Sequence, residues 1–146
     1  ILRPQLQRLA SQCAAWNTRY REVEKGLTEC PGLRLIARPE AETYVGSSIQ
    51  FLLLDWDAAG VQDVLARCAA RGVELKWFGG AEPMGFTSRY DSWRYAPAEP
   101  LPESDRILAG LIDMRLPLTF SLDDCALIAR IIRSEVGAVY QKQPVQ

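Results

Sequence analysis

The chain has 146 residues, enough for one domain with a real core and too few for two comfortable ones. Its 17 basic and 18 acidic side chains nearly cancel, and no run of like charge is long enough to mark an arm for nucleic acid or an anionic membrane surface. Histidine is absent, which removes the commonest general base near neutral pH, the commonest metal ligand and every Ser-His or Cys-His nucleophile pair.

No apolar stretch approaches the roughly 20 residues of a spanning helix, and the N-terminus lacks the charged and apolar regions of a signal peptide. A cytoplasmic location without a membrane partner is expected. Cys13, Cys30, Cys68 and Cys125 lie far apart with no C-x-x-C pair, which favours free thiols packed as small hydrophobes over a disulfide framework or a metal site. The first residue is Ile1 and the only methionines are Met84 and Met114, so the expectation is of a piece of something larger.

Leu2, Leu6, Leu9, Cys13, Trp16, Tyr20, Val23 and Leu27 recur at steps of three and four, an unbroken apolar stripe. The spacing predicts one amphipathic helix of about 25 residues, roughly 37 Å long. Pro4 can sit in its first turn, and Gly26 with Cys30-Pro31-Gly32 marks its end. So long a helix with so narrow a stripe packs either along another domain or subunit, or across its own sheet.

Leu33 to Ala37 is a short strand candidate, and RPEAET from Arg38 to Thr43 is a polar loop or edge connection. Ile49 to Leu54 is the strongest strand. Asp57 can cap the helix that follows, with Val61, Val64, Leu65 and Cys68 inward and Gly72 as its stop. Val73 to Phe78 returns as a strand with Val73, Leu75 and Trp77 on one face. An irregular region runs from Gly79-Gly80 through the prolines Pro97, Pro100 and Pro102. A helix from about Glu103 to Gly110 leads to a strand near Met114 to Leu118, where Pro117 implies an edge or an end. Ser121 and Asp124 have the spacing of a capping box for a last helix with Cys125, Ile128, Ile131, Ile132 and Val136 inward. The fold class is α+β: a two-layer domain, a small mostly antiparallel sheet covered by helices. Residues 1–146 form a single domain, with a long helix over 1–29 and a small α/β unit over 33–140.

No phosphate-binding glycine motif stands between a strand and a helix, so Gly79, Gly80 and Gly85 are turn glycines. Asp123-Asp124 is explained by the helix dipole. Of Lys25, Lys76 and Lys142, only Lys76, between Leu75 and Trp77, is placed to be desolvated, as a Schiff-base lysine must be; an outward-facing strand lysine is the plainer reading. FTSRYDSWRY, Phe86 to Tyr95, is the densest chemistry in the chain. Arg89 and Arg94 can fork onto a carboxylate or phosphate, while Phe86, Tyr90, Trp93 and Tyr95 can stack on a planar ligand. The same residues also suit a hairpin turning at Tyr90-Asp91-Ser92 with its aromatics on the sheet. The substrate-binding candidates are Arg89, Arg94, Tyr90, Trp93 and Lys76.

Taken in order, WNTRYREVEKGL, ECPGLRL, SSIQFLLLD, DAAGVQDVLARCAARGVELKWF and DMRLPLTFSLDDCALIARII resemble the C-terminal small domain of fold-type-I pyridoxal-phosphate-dependent aminotransferases, DegT/DnrJ/StrS type. The shared features are the Pro31-Gly32-Leu33 turn, the passage from Leu65 through Val73, the Leu116-Pro117-Leu118 strand and the Ser121 to Asp124 cap. The resemblance implies a transferase, a homodimer in its intact form, whose pyridoxal 5'-phosphate sits mainly in a preceding large domain that supplies the aldimine lysine. It implies no catalytic residue and no covalently bound cofactor in this fragment, a keto or amino substrate, and a missing large domain as partner. Family members often carry a histidine-containing stretch where this chain has Gly79 through Tyr95, so sugar nucleotides, amino acids and other keto compounds all stay open as substrates. The alternatives are a non-enzymatic ligand-binding or dimerisation module, and an aminotransferase-like dehydratase or regulator without the lysine.

Overall fold

The computed structural model describes residues 6–82, 84, 95 and 99–142, and among them four helices and four strands follow one another along the chain. They are α1 (Leu9–Leu27), β1 (Arg34–Leu35), β2 (Ser48–Leu52), α2 (Ala58–Ala70), β3 (Lys76–Trp77), α3 (Pro102–Gly110), β4 (Leu111–Arg115) and α4 (Leu122–Tyr140). The sheet order is β1-β2-β4-β3, every neighbouring pair antiparallel. Because β2 and β3 are both antiparallel to β4, they run parallel to each other, and β2-α2-β3 is a crossover with β4 set between its strands.

Alternation along the strands decides the faces. Ile49 and Phe51 of β2 and Ile112 and Met114 of β4 enter one apolar core with Tyr20, Val23 and Leu27 of α1, Val61, Val64 and Cys68 of α2, and Cys125, Ala129, Ile132 and Val136 of α4. Burying each such Val, Leu or Ile side chain is worth about 1.5–3 kcal/mol. Trp56, just before α2, stacks on Tyr140 at the end of α4, with ring centroids 5.9 Å apart.

The principal contact between helices joins α1 to α4. A β-carbon added at Gly26 would lie 2.5 Å from the Ala129 β-carbon, so the helices meet through their smallest side chains. An arginine flanks the crossing on each side. Arg19 Nε donates to the Phe120 carbonyl at 2.6 Å and its Nη2 to that of Leu118 at 2.9 Å, just ahead of α4. In return Arg133 of α4 donates to the Gly26, Thr28 and Glu29 carbonyls at 3.3, 2.8 and 3.2 Å, satisfying acceptors that the end of α1 leaves open. On the other side of α4, Glu135 receives Arg71, the residue that closes α2, at 2.6 Å and Arg67 of α2 at 3.8 Å.

The expected caps form. Asp57 Oδ1 accepts from the Gly60 amide at 2.7 Å, and Ser121 and Asp124 make a reciprocal box at the start of α4. Asp124 is held below the usual carboxylate range, first by the Ser121 hydroxyl and then by the Ser121 amide. The four cysteines are free thiols: Cys13 is half-buried and the other three are buried. Burial, reinforced by the Glu135 carboxylate against the opposing Arg71 charge, pushes the Cys68 thiol up to about 12.

Several boundaries differ from expectation. The strand expected over Val73 to Phe78 is only Lys76–Trp77, because the Val73 amide donates back to Cys68 and the Gly72 amide to Ala69. Those two bonds close α2 in a Schellman motif, with Gly72 at φ +82°, and so occupy the residues the strand was to use. The last strand is Leu111–Arg115 rather than Met114 to Leu118, and it is central rather than an edge; Pro117 lies beyond its end, where no ladder bond is needed. Among the described residues the first helix runs 19 residues rather than about 25. The RPEAET loop and the residues after it are pinned to α1: Arg38 Nε donates to the Tyr20 hydroxyl at 3.5 Å, while Asn17 donates to the Tyr44 carbonyl and accepts from the Gly46 amide.

Gly26→Val is expected to destabilise the protein by about 1–3 kcal/mol through overpacking at Ala129. Urea unfolding measures this, and Ala129→Gly in the Gly26→Val background is expected to recover part of the loss. The Asp124 carboxyl is depressed in the folded state, so its stabilisation is present above the unfolded carboxyl range and is lost as pH falls through the folded value. Asp124→Asn is therefore expected to flatten the acid limb of a Tm-against-pH curve while leaving its alkaline limb unchanged.

Candidate functional site

The face of the sheet turned away from the core carries a polar row. Gln50 of β2, Asp113 of β4 and Lys76 of β3 are cross-strand partners in register, so one side chain from each of three adjacent strands stands on the same line. Gln50 Nε2 donates to Asp113 Oδ1 at 3.3 Å. Asp113 is 7% exposed, the one buried charged or polar residue among those described. A carboxylate taken out of water costs several kcal/mol unless bonded groups offset it, so its place in the central strand is a strong constraint on what surrounds it. Lys76, half-buried, lies opposite it on the outer strand.

The local sequence produces this row by alternation. In Leu111–Arg115 the second and fourth residues, Ile112 and Met114, enter the core, which turns Asp113 to the other face; in Ser48–Leu52 the same rule turns Gln50 outward between Ile49 and Phe51. Beyond Lys76, Trp77 Nε1 donates to the Ala109 carbonyl at 2.8 Å and ties β3 to α3. Phe78, Gly79, Asp105, Leu108 and Ala109 bound a cavity there of about 30 Å³, room for little more than a water.

Of the five candidate substrate residues, Lys76 is described and falls in this row; Arg89, Tyr90, Trp93 and Arg94 lie outside the described residues. Tyr95, from the same decapeptide, is 99% exposed. Asp113 and Gln50 escaped the sequence reading, although a carboxylate between Ile112 and Met114 in an apolar strand is a visible signal. Among the described residues no group of three or more His, Cys, Asp or Glu side chains could hold a metal ion, and no helix is long and apolar enough to cross a membrane.

No protein-family model matches the sequence, and no curated protein is similar to it. Solved structures share its fold. An aminotransferase, TlmJ, from Streptoalloteichus hindustanus superposes with a TM-score of 0.74 over 92% of this chain and 34% of its own, at 19% identity. 3-Amino-5-hydroxybenzoic acid synthase gives 0.73 over 94% and 37%, also at 19% identity. A DegT DnrJ EryC1 StrS aminotransferase from Brucella abortus gives 0.63 over 90% and 33%, at 17% identity. The chain therefore spans about a third of the length of these enzymes and has the fold of their small domain: an antiparallel sheet with the N-terminal helix packed on the C-terminal one.

Replacing Asp113 by Ala leaves the Gln50 amide without its acceptor and is expected to cost about 1–3 kcal/mol in urea unfolding. Asp113→Asn keeps an acceptor oxygen and is expected to cost less.

Proposed function

We propose that this chain is the small domain of a pyridoxal-phosphate-dependent aminotransferase of the DegT/DnrJ/StrS type, closing over the active site, contributing to substrate selection and inactive alone. The observation that carries the reading is the fold it shares, over nearly all its own length, with one third of each of several aminotransferases. The order of WNTRYREVEKGL, the Pro31-Gly32-Leu33 turn, SSIQFLLLD and the Ser121 to Asp124 cap supports it independently.

When bound, pyridoxal 5'-phosphate supplies an electron sink for a carbanion at the substrate carbon. The described residues do not fit it by themselves. The cavity beside α3 is water-sized, Lys25 and Lys142 are exposed, and Lys76 projects from a two-residue strand. The cofactor and its lysine accordingly belong to the remainder of a longer chain, and the intact enzyme is a cytoplasmic homodimer in this reading.

What this chain contributes is recognition. Arg89 and Arg94 would fork onto a carboxylate or phosphate of a keto or amino substrate, and Tyr90 and Trp93 would stack on its planar part. Lys76, in the Gln50–Asp113–Lys76 row, would add a cation on the same strand that leads into that segment. Sugar nucleotides and amino acids both offer such groups.

Borohydride reduction of the intact protein with pyridoxal phosphate, followed by peptide mapping, is expected to mark a lysine outside residues 1–146. Transamination by the 146-residue chain together with an adduct at Lys76 would overturn the reading, and no adduct anywhere in a folded intact protein would point to the lysine-less dehydratase or regulator. In the intact enzyme Arg89→Ala or Arg94→Ala is expected to raise KM for the substrate about ten- to hundredfold, the loss of one charge-assisted contact; unchanged KM and kcat would make the segment structural.

A further inference from the structure

We propose that the last turn of α4, from Ala138 to Tyr140, is a hinged strap over Trp56 that opens and closes while the rest of the domain stays folded. The indole it covers is the reason. Trp56 is 8% exposed, and its Nε1 is the one buried side-chain nitrogen or oxygen among the described residues without a hydrogen-bond partner. A buried donor left unpaired carries its full desolvation cost, which exceeds what an aromatic pair returns beyond its buried area.

Tyr140 cannot serve as the acceptor. Its ring stacks on the indole with the planes 23° apart, so it offers its face to the indole face and not to the N–H, which points outward within the indole plane. The other wall is bare backbone. A β-carbon at Gly32 would lie 2.9 Å from Trp56 Cζ2 and 2.5 Å from Tyr140 Cδ2, so turn, indole and phenol meet without space between them. Cζ2 is two bonds from Nε1, which puts the donor's edge of the indole beside Tyr140 and the turn. Tyr140 itself is 46% exposed. Lifting it brings water to that edge at the loss of one ring contact.

The second observation is the hinge. Gly137 sits inside α4 just ahead of the strap, where glycine weakens a helix about fivefold relative to Ala. Close packing does not call for it, since a β-carbon there would meet nothing within 4 Å. The last turn also has no basic residue to offset the helix dipole, and the Gln141 amide reaches the Gly137 carbonyl at 3.2 Å, the long end of the range. Val139, 5% exposed, draws the strap closed again. A weak hinge, a donor relieved by opening and one apolar anchor make a two-state segment rather than a uniformly frayed end. Neither the strap nor its test depends on the small-domain reading.

Residue-resolved hydrogen exchange on the intact protein tests this. Trp56→Phe keeps a ring under Tyr140 and removes the unpaired donor, and the cavity left by the smaller ring is present whether the strap is open or closed. Exchange of the Val139, Tyr140 and Gln141 amides is therefore expected to slow about fivefold, while the Ile131 to Glu135 amides are not slowed. Gly137→Ala leaves both rings in place. It is expected to slow the same amides about fivefold, and the Trp56 Nε1–H, followed by its NMR signal, by the same factor. Strap amides that exchange as fast or faster in Trp56→Phe would overturn the proposal and leave an ordinary frayed turn. A Trp56 Nε1–H unmoved by Gly137→Ala would overturn it as well, because some other motion would then be baring that donor.

Discussion

The close crossing of α1 and α4 at Gly26 and Ala129 is the constraint on which the rest of the domain depends. Two helices that approach through a glycine and an alanine bring their backbones near enough for each to reach the other's end. Arg19 and Arg133 use that reach, one bonding the carbonyls ahead of α4 and the other those closing α1. The helices are thereby fixed in register along their axes as well as in separation. A larger residue at either small position would part them and lengthen all five of these bonds together.

From that fixed pair the sheet takes its place. Tyr20, Val23 and Leu27 from one helix and Cys125, Ala129 and Ile132 from the other form the surface on which Ile49, Phe51, Ile112 and Met114 rest. Because strand side chains alternate, fixing those four inward fixes Gln50 and Asp113 on the opposite face, and the β3–β4 register then sets Lys76 opposite Asp113. A polar row on one face is thus positioned by apolar contacts on the other. A one-residue slip of β4 would turn the Asp113 carboxylate into the core, which is why the register is strongly specified.

How much of this was legible depends on whether local chemistry or distant packing decides a residue's state. The Asp57 and Ser121–Asp124 caps were legible because a cap is made within four residues. The α+β class, the covered sheet and the free cysteines followed from periodicity and spacing. The shortened β3 was not, since Val73 is apolar and suits a strand, and only the Schellman bond to Cys68 removes it. The central position of β4 was hidden by Pro117, a signal about strand ends that says nothing about the neighbours of the residues before it. Asp113 was hidden because its burial is a property of three strands at once, although its type was plain within I-D-M-R.

The two ends of α1 show how one helical pattern can differ in burial along its length. Its stripe repeats without a break, so nothing in the spacing separates the half that meets α4 from the half that does not. What separates them is composition around the stripe: Gly26 allows close approach at one end, whereas the other carries Leu9, Cys13 and Trp16 with arginine and glutamine beside them and no acid. A helix wholly devoted to its own core would have no use for large apolar residues a further two to three turns beyond α4.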